Sequence, residues 1–526
     1  MYDVRTSVLV VGGGPVGLCT ALFLARQGIQ PTLVERRDGT SELPRAPGLQ
    51  ARTMEIFRWA GIEPAIRDIE MPDSAKYFEG GILKVPTLAR IAEAEAIETP
   101  RLDGPEISPA RVVGCGQDMY EPILLNAAAE AGAHVRFGHR LVDLEQDEDG
   151  VTALVEHAGR TLRIRADYLV AADGSRSLVR TKLRVPRTGE GILFKAMSIY
   201  FRADLDQVLD GRKFILCYAT EHQPPLALSR LHGRDPWLCA ALYRPEEGQG
   251  AADFTTEHCV DLIRRAAGRP DLDVEIVATS PWEAAHRIAE EFRIGRVLLA
   301  GDAAHVHPPA GGFGANTGIH DAHNLAWKIA AVLRGWAGPG LLSSYDAERR
   351  PLGAAMAAQA VLRNRLRNGT SSSADRALMK EDLIVTLGYR YSSDAVLGAG
   401  DGPPLPDRFE LTGAPGTRVP HVWVRRDGRT VSTLDLVHDG FVLFTGTQGE
   451  PWLRAADRCG TPVRAYRIGA GGDLVDTEGA WAAATGIGAG GALLVRPDGF
   501  VAWRAEAPAE EPERALRTAL RSVLSL

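Results

Sequence analysis

Thr6-Ser-Val-Leu-Val-Val-Gly-Gly-Gly-Pro-Val-Gly17 is the stretch that decides how the chain begins to fold. Residues 6–11 are short, apolar and rich in β-branched side chains, which predicts a buried strand. The residues that follow predict a helix over 15–27 and a second strand over 31–35. This strand–helix–strand order is the βαβ unit of a parallel sheet.

The turn between the first strand and the helix carries a glycine motif. Gly12 permits a tight turn, Gly14 lets a pyrophosphate approach the backbone, and Gly17 lets helix and strand pack closely. The free N–H groups and the positive dipole end of the helix attract phosphate. Glu35 ends the second strand, 18 residues after Gly17, where a carboxylate accepts from ribose hydroxyls. The pattern predicts an ADP-containing dinucleotide and leaves FAD and NAD as alternatives.

The same region raises a rival interpretation, because Val8 to Ala25 is uncharged over 18 residues. That length is near the lower limit of a membrane span, and its position is that of a signal peptide. The glycines and proline at its centre would break a spanning helix, and only Arg5 precedes it as a basic residue. We therefore expect a soluble, cytoplasmic protein with no membrane segment.

Length and composition further narrow the class of protein to which the chain belongs. The chain has 526 residues, enough for about three domains. Its hydrophobic share of 45% and charged share of 24% are those of a globular protein. A net charge of −7 gives no electrostatic basis for nucleic-acid binding. The six cysteines are widely scattered, which argues against a disulfide framework and for a reducing compartment.

A second motif begins at Arg296, where an apolar strand ends in Gly301-Asp302. A proline- and glycine-rich loop follows, and then a helix predicted over 317–335. The loop glycines would let bare backbone approach a flat ring. A helix that starts near Asn316-Thr317 would favour negative charge on that ring. Reduced flavin carries such a charge at N1 and a nicotinamide does not, so this motif favours FAD.

The remaining segments predict two further units. Residues 186–280 alternate polar and apolar side chains, which indicates an antiparallel sheet with one covered face. The Gly- and Pro-rich run 398–406 marks a domain boundary. After it, short strands and a helix from about 511 predict a C-terminal module. The Ala/Glu stretch 92–98 is interpreted as a solvated helix face.

A third motif completes a family pattern: Ala166 to Arg180 reads ADYLVAADGSRSLVR. With the two motifs above, it resembles the FAD-dependent aromatic hydroxylases, the group A flavoprotein monooxygenases of the para-hydroxybenzoate hydroxylase fold. The resemblance covers nearly the whole chain. The loop version Gly-Phe-Gly-Ala-Asn-Thr-Gly, residues 312–318, is similar to that of the polyketide and anthracycline-type hydroxylases. Residues 491–503 resemble the end of the thioredoxin-like domain of the phenol hydroxylase and polyketide hydroxylase branches.

The resemblance implies an α/β fold in which a Rossmann-like FAD-binding domain is interleaved with a substrate domain built on a mixed or antiparallel sheet. A thioredoxin-like domain follows at the C-terminus. The implied bounds are 1–75, 101–185 and 281–367 for the FAD-binding domain, 76–100 and 186–280 for the substrate domain, and 400–526 for the C-terminal domain. Cys459 stands alone there, without a CxxC partner, which indicates a structural or assembly role.

The motifs and the resemblance together give an expected set of cofactor-binding residues. In the family, Asp302 matches the contact to the ribityl chain, Arg45 the cofactor mouth, and Leu141 the backbone near adenine. Asp173 belongs to the motif that lies near both FAD and NAD(P)H. The full set is Gly12, Gly14, Pro15, Val16, Gly17, Glu35, Arg36, Arg45, Gln117, Leu141, Asp173, Asp302, Pro309, Gly312, Gly314, Ala315 and Asn316.

The activity implied by the family is hydroxylation of a phenolic polycyclic aromatic in polyketide tailoring. NADPH or NADH would reduce FAD and leave, and O2 would then form a flavin C4a-hydroperoxide. The chain shows no second GxGxxG, which agrees with transient nicotinamide binding. A small-phenol hydroxylase, a Baeyer–Villiger variant and a non-catalytic nucleotide-binding protein remain as alternatives. A flavin halogenase is disfavoured, because the chain has no Trp-x-Trp-x-Ile-Pro segment. A homodimer is possible. The substrate and the choice between NADH and NADPH stay open.

Two side chains are the catalytic candidates. Tyr218, in the predicted substrate sheet, would accept a proton from a substrate phenol if a cation such as Arg365 lowered its pKa. The rival interpretation is a core tyrosine beside a solvated basic helix end. Phe313 with the small Ala315 would reshape the space beside the flavin.

The histidines of the second motif raise a separate question. His305, His307, His320 and His323 have metal-like spacing. No cysteine or carboxylate cluster completes a ligand set, so we expect no metal.

Overall fold

A computed structural model describes residues 2–45, 48–100, 106–231, 236–437 and 440–526. Within these ranges the strands are β1 Val4–Val11, β2 Thr32–Val34, β3 Gly48–Leu49, β4 Ile82–Val85, β5 Glu95–Glu98, β6 Val113–Gly114, β7 His134–Arg136, β8 Arg140–Gln146, β9 Val151–His157, β10 Arg160–Ala171, β11 Arg187–Arg202, β12 Leu216–Ala219, β13 Leu226–Arg230, β14 Trp237–Tyr243, β15 Glu275–Ala289, β16 Arg293–Ile294, β17 Val297–Leu299, β18 His305–Val306, β19 Trp423–Arg426, β20 Arg429–Ser432, β21 Phe441–Thr445, β22 Val463–Arg467, β23 Ala492–Val495 and β24 Val501–Ala505.

The α-helices of the described ranges are α1 Pro15–Arg26, α2 Ala51–Trp59, α3 Glu63–Asp68, α4 Ser74–Gly80, α5 Gln117–Glu130, α6 Leu178–Lys182, α7 Asp206–Leu209, α8 Thr256–Ala267, α9 Phe313–Leu333, α10 Ser343–Arg367, α11 Ser373–Leu378, α12 Asp382–Thr386, α13 Glu450–Arg458, α14 Ala480–Thr485 and α15 Pro512–Val523. Helices and strands are interspersed along the chain, and the predicted α/β class is confirmed.

The first sheet places the ends of four motif strands at one edge. Its strand order is β16-β17-β10-β1-β2-β7, and β10, β1, β2, β7 and β17 run parallel. The carboxyl ends of parallel strands share an edge, and ligands bind in the crevice outside it. Gly12, Glu35, Asp173 and Asp302 follow β1, β2, β10 and β17 at this edge.

The second sheet has the order β18-β15-β11-β14-β13-β12-β4-β5. Its pairs are antiparallel except for β12 with β4. One face packs a buried core that includes Cys217, Leu228 and Cys239 against α8. On the other face Tyr218 and Ala240 are partly exposed. β15 continues to Ala289, so this sheet reaches past residue 280.

Two local expectations are wrong. The Ala/Glu stretch 92–98 does not form a helix face. A short 3-10 helix ends at Glu93, and the strand β5 that follows pairs with β4. The edge of the sheet offers β5 backbone hydrogen bonds that an isolated turn lacks. The long helix α9 begins at Phe313 rather than near residue 317. The start of α9 is difficult to predict from the sequence, because Gly312 and Gly314 lower the helix propensity without preventing a first helical turn.

The C-terminal module is a four-stranded sheet of order β22-β21-β23-β24. β21 and β22 run parallel around α13, while β23 and β24 form an antiparallel pair followed by α15. The thioredoxin-like assignment stays a prediction. Cys459 directly follows α13 and is partly buried.

The uncharged segment Val8 to Ala25 divides between two elements. β1 ends at Val11, the backbone turns at the glycines, and α1 begins at Pro15. In the described part of the chain, no helix is long and apolar enough to cross a membrane.

A buried charge cluster joins the C-terminal module to the rest. We call Lys328, Glu348, Arg496 and Asp498 the interdomain cluster; all four side chains are at most 1% exposed. Arg496 donates to both Glu348 oxygens at 2.6 and 2.9 Å, and Lys328 donates to Glu348 at 2.8 Å. Burial raises the pKa of Glu348, but the charges of Arg496 and Lys328 outweigh it and hold that pKa below its usual range.

We expect Arg496→Met to destabilise the protein by about 3–5 kcal/mol, because it leaves buried Glu348 and Asp498 without their main partner. Since native Glu348 has a lowered pKa, the cluster's contribution is present above the ordinary glutamate pKa of about 4.3 and is lost as the pH falls further. Denaturant unfolding at pH 7 and pH 3 measures both effects. Arg458→Met, at a side chain that is 68% exposed, is the control. Equal effects of the two substitutions would contradict a stabilising cluster.

Candidate active site

The glycines after β1 divide into two kinds. A Cβ on Gly12 would lie 2.2 Å from the Ala172 carbonyl oxygen, and one on Gly17 would lie 1.8 Å from the Gly12 carbonyl oxygen. A Cβ on Gly14 would meet nothing within 4 Å. Gly12 and Gly17 are therefore required by packing, whereas Gly14 borders open space at the start of α1. Pro15 and Val16 form the first turn of α1, and both are partly exposed.

Glu35 is held in place by the backbone around it. Its Oε2 accepts from the Gly13 N–H at 2.6 Å, and its Oε1 accepts from the Arg37 N–H at 2.9 Å. The residue is buried beside the glycine turn. Oε1 also accepts from Arg37 Nε at 3.2 Å, so the second lone pair of Oε2 is the one left for a ribose hydroxyl. Arg36 is exposed to solvent.

The motif after β10 leaves one buried carboxylate oxygen unsatisfied. Asp173 Oδ2 accepts from the Val179 N–H at 3.1 Å, while its Oδ1 is buried and meets no partner among the described residues. Burial raises the pKa of Asp173. Arg180 ties this motif to the next one, since it donates to the carbonyls of Ser175 and Ala303 at 3.1 and 2.9 Å. This oxygen is therefore available to accept a hydrogen bond from a ligand.

The loop after β17 exposes its backbone to the same crevice. Asp302, Pro309 and Gly312 are exposed, and Gly314 and Ala315 are partly exposed. A Cβ on Gly312 or Gly314 would meet nothing within 4 Å. The described residues provide no side-chain cap for α9 and no acidic residue in its first turn, so its N–H groups are free for a ligand.

Asn316 is placed differently from its neighbours. Its side chain is buried and fully used by the protein: Oδ1 accepts from Gln50 N–H and the Thr53 hydroxyl, and Nδ2 donates to the carbonyls of Gly48 and Gly312. These bonds anchor the start of α9 to β3 and α2. A contact to a ligand is left to the Asn316 backbone.

Phe313 does not reshape the space beside the loop. Its ring is 2% exposed and packs into a core with Leu352 and Met356, below the Arg363 guanidinium at 5.2 Å. The expectation fails because α9 starts at Phe313, and this places the ring on the side of the helix that faces the interior.

Three further predicted residues lie on other elements. The Arg45 carbonyl accepts from the Gln117 N–H at 2.9 Å, so the loop after β2 and the start of α5 are joined there. The Gln117 side chain donates to Glu121 at 2.5 Å. Leu141 is 7% exposed on β8 and pairs with Val155.

The candidate catalytic pair is not brought together. Arg365 forms ion pairs with Glu190 and Asp375 at 3.2 and 3.0 Å. The cation that acts on the phenol of Tyr218 is Arg367, and its Nε donates to Glu98 Oε2 at 2.9 Å. Burial raises the pKa of Tyr218 even though Arg367 opposes it. The two arginines lie two positions apart on α10, which turns their side chains toward different sides of the helix.

Three of the four histidines singled out in the sequence have structural partners, whereas neither ring nitrogen of His307 has a hydrogen-bond partner among the described residues. His305 is fully buried, and its Nε2 lies 2.6 Å from Asp321 Oδ2. His320 lies 3.0 Å from the Thr53 hydroxyl, and His323 packs against Phe23 and Trp59. Across the described ranges, no group of three or more His, Cys, Asp or Glu residues is arranged to hold a metal ion.

Sequence reasoning missed the charges beneath the loop. Asp321 accepts from the Gly301 N–H at 3.0 Å and from Arg349 at 2.6 Å, in addition to its contact with His305. A buried carboxylate needs such partners. Asp321 interrupts the apolar stripe of α9, and this was the signal in the sequence that could have indicated buried charges beneath the loop.

Residues 5–360 match the family described as FAD binding domain, and residues 412–525 match the family described as aromatic-ring hydroxylase, C-terminal. The chain belongs to the FAD-dependent aromatic-ring hydroxylases. This hydroxylase is 45% identical to tetracenomycin A2 monooxygenase-dioxygenase of Streptomyces glaucescens, over 100% of the chain and 98% of the relative. It is 41% identical to 4-methyl-5-nitrocatechol 5-monooxygenase of a Burkholderia species, over 99% and 98%.

A solved structure of aklavinone-11 hydroxylase with FAD and aklavinone superimposes on the hydroxylase with a TM-score of 0.90, at 38% identity over 100% of both chains. The predicted FAD-dependent aromatic monooxygenase is confirmed, and FAD is its cofactor. The residues present fit this cofactor, because open space at Gly14, Gly312 and Gly314 matches a pyrophosphate and a flat ring. The unsatisfied Asp173 oxygen offers a further hydrogen-bond acceptor.

Gly14→Val should fold normally and lose FAD, because the new side chain enters the space where the pyrophosphate is expected. The Gly14 φ of −81° is accessible to valine. We expect at least a tenfold weaker Kd, measured by the flavin content of the purified protein and by FAD titration. Gly400→Val, at another glycine with open space around it, is the control. If the Gly14→Val protein keeps the wild-type flavin content, the pyrophosphate does not bind at Gly14.

Proposed function

We propose that this monooxygenase consumes NADPH or NADH and hydroxylates a phenolic polycyclic aromatic of the polyketide type. The observation that carries the proposal is the Tyr218–Arg367–Glu98 arrangement on the partly open face of the second sheet. The names of tetracenomycin and aklavinone hydroxylases among the similar proteins support the substrate class.

The cofactor residues proposed above hold FAD across the crevice. When bound, FAD would take a hydride from the nicotinamide and transfer one oxygen atom from O2 to the aromatic ring. Gly14 and the start of α1 receive the pyrophosphate, Glu35 the ribose, and Asp302 the ribityl chain. The free N–H groups at Gly314 and Ala315 stabilise negative charge on the reduced ring.

Arginines beside Asp173 support the use of a nicotinamide dinucleotide. Arg180 and Arg187 both donate to the Ser175 carbonyl, at 3.1 and 3.4 Å. Burial lowers the pKa of both, and Arg287 lowers them further. Neither Arg180 nor Arg187 forms an ion pair with a carboxylate among the described residues, so together they attract the phosphates of NAD(P)H.

We infer that the partly exposed face of the second sheet receives the aromatic substrate. Cross-strand pairing aligns Ser198, Ala240, Ala227 and Tyr218 on four neighbouring strands. Of these, Ala240 and Tyr218 are partly exposed, whereas Ser198 and Ala227 are buried. A flat ring system lies on this surface with its hydroxyl toward the phenol.

Tyr218 acts as a hydrogen-bond donor rather than as a base. Its raised pKa keeps the phenol protonated at neutral pH. With the Arg367 charge beside the phenol, the Tyr218 O–H donates to the substrate oxygen in this proposal. The Arg367 charge favours the phenolate form of the substrate, which is the better carbon nucleophile. Glu98 positions Arg367 through their ion pair at 2.9 Å.

A small phenol is the second candidate substrate. The similarity to 4-methyl-5-nitrocatechol 5-monooxygenase favours it, because that relative is named for a single-ring substrate. Product mass spectrometry on a panel of anthraquinone-type compounds and simple phenols tests the choice. Gain of one oxygen atom by the polycyclic compounds supports the proposal. Gain by simple phenols alone would replace it with the second candidate.

Arg367→Met should lower kcat by about tenfold to a hundredfold, because the substrate phenolate loses its stabilising charge. Tyr218→Phe should lower kcat in the same range. Both should move the pH optimum upward, since the substrate must then ionise without help. Steady-state kinetics from pH 6 to 9 measure this.

Arg365→Met is the matched control, because Arg365 lies on the same helix as Arg367 but pairs with other carboxylates. These are the exposed Glu190 and Asp375 on α11. The same loss in Arg365→Met as in Arg367→Met would show a general effect of charge on α10 and would contradict the role of Arg367.

A further inference from the structure

The short helix α2 lies buried between the start of α9 and the C-terminal module. Seven of its nine residues are buried, and two of these, Arg52 and Glu55, are charged. Their side chains are only 5% and 3% exposed. Because a buried charge is costly unless it is paired, the partners of these two side chains determine where α2 is held.

The C-terminal module supplies partners for both charges. Arg418 is fully buried and donates to Glu55 Oε1 at 3.0 Å. Arg52 donates to the Asp498 carbonyl at 2.6 Å, and its guanidinium lies 5.5 Å from the centre of the Phe500 ring. Arg52 also donates to Glu55 Oε2 at 2.9 Å, which joins the two contacts into one buried network.

The module also contacts the last turn of α2. Arg58 donates to both carboxylate oxygens of Asp435 at 2.6 and 2.9 Å. Residues 52, 55 and 58 are three positions apart and therefore lie along one side of a helix. The module thus holds α2 from its first turn to its last.

The same helix holds Asn316 in the first turn of α9. The Thr53 hydroxyl donates to Asn316 Oδ1 at 2.6 Å, and the N–H of Gln50, just before α2, donates to the same oxygen at 3.0 Å. The Thr53 oxygen also lies 3.0 Å from His320 Nε2, one turn farther along α9. A displacement of α2 therefore displaces the start of α9.

The start of α9 is where the proposed function places the reduced flavin ring. Gly314 borders open space there, and the first N–H groups of the helix are free for a ligand. These groups stabilise negative charge, and the effect falls off within the first turn. A small displacement of this turn therefore weakens the hold on a reduced, negatively charged ring more than the hold on an oxidised, neutral one.

We propose that the C-terminal module sets the FAD affinity and the midpoint potential of the hydroxylase through α2. Arg418 and the Asp498 backbone fix α2, and α2 fixes the first turn of α9. Arg418 is thus a positioning residue that acts on the cofactor through another helix. The inference rests on the ring position in the proposed function, and it is independent of which aromatic compound is the substrate.

The first test titrates the full-length apoprotein with FAD and measures the midpoint potential of the reloaded enzyme. We expect Arg418→Met to weaken the Kd at least fivefold and to lower the potential, because the reduced ring loses more stabilisation than the oxidised one. The control is Phe441→Leu, which alters a different contact of the module: the Phe441 ring packs against Trp327 farther along α9. It should change the Kd less than twofold and leave the potential unchanged.

A second variant covers the case in which Arg418→Met does not fold. The Arg58 side chain is 35% exposed, so Arg58→Met removes the contact with Asp435 at little cost to the core. It should weaken the Kd at least threefold and lower the potential.

A double-mutant cycle tests the route. Thr53→Val removes the hydroxyl between α2 and Asn316. If α2 carries the effect, Arg418→Met should weaken the Kd less than twofold further in the Thr53→Val protein, since the link is already broken. Independent effects would instead multiply.

An unchanged Kd and potential in folded Arg418→Met overturns the proposal, and Arg58→Met decides if Arg418→Met does not fold. Multiplying effects in the cycle, or an equal effect of Phe441→Leu, also overturn it. Gly314→Val tests the ring position separately. Wild-type FAD affinity in Gly314→Val contradicts the ring position of the proposed function, whereas weakened affinity there with an unchanged Arg418→Met contradicts only the role of the module.

Discussion

The arrangement of the active site depends on one buried carboxylate. Asp321 is fully buried on α9 and accepts from the Gly301 N–H, from His305 and from Arg349. Burial alone would raise its pKa, but the charges of His305 and Arg349 outweigh this and the pKa lies below its usual range. Removing any one partner leaves charge uncompensated in the interior, which is costly. The loop after β17, the helix α9 and the helix α10 are therefore fixed relative to one another by electrostatics as well as by packing.

The polar side of α9 continues this role along the helix. Near its start Asn316 bonds to β3 and α2; farther along, Asn324 donates to Glu348 and Asp498, and Lys328 donates to Glu348. One helix thus presents its free N–H groups to the cofactor crevice and anchors the C-terminal module through the interdomain cluster. This gives that module a structural purpose that requires no pair of thiols.

Local sequence patterns predict those structural features that depend on residues close together in the chain. The strand ends that carry Gly12, Glu35 and Asp302 could be placed from sequence, because a βαβ unit brings the carboxyl ends of its strands to one edge. The partner of Tyr218 could not be placed, because it depends on how α10 is rotated against a sheet more than 100 residues earlier in the chain. Phe313 was misjudged for a related reason: a shift of four residues in the start of α9 turns the ring from the crevice into the core.

Tyr218 and Arg367 act on the substrate hydroxyl in different ways in the proposed reaction. Arg367 lies at the end of α10 and places a positive charge beside the phenol of Tyr218 on β12. That charge favours loss of the proton from the substrate hydroxyl. Burial has the opposite effect on Tyr218 itself, because it raises the pKa of the phenol and keeps it protonated at neutral pH. The protonated phenol therefore orients the substrate oxygen while the arginine stabilises the phenolate, so the two roles need two different side chains.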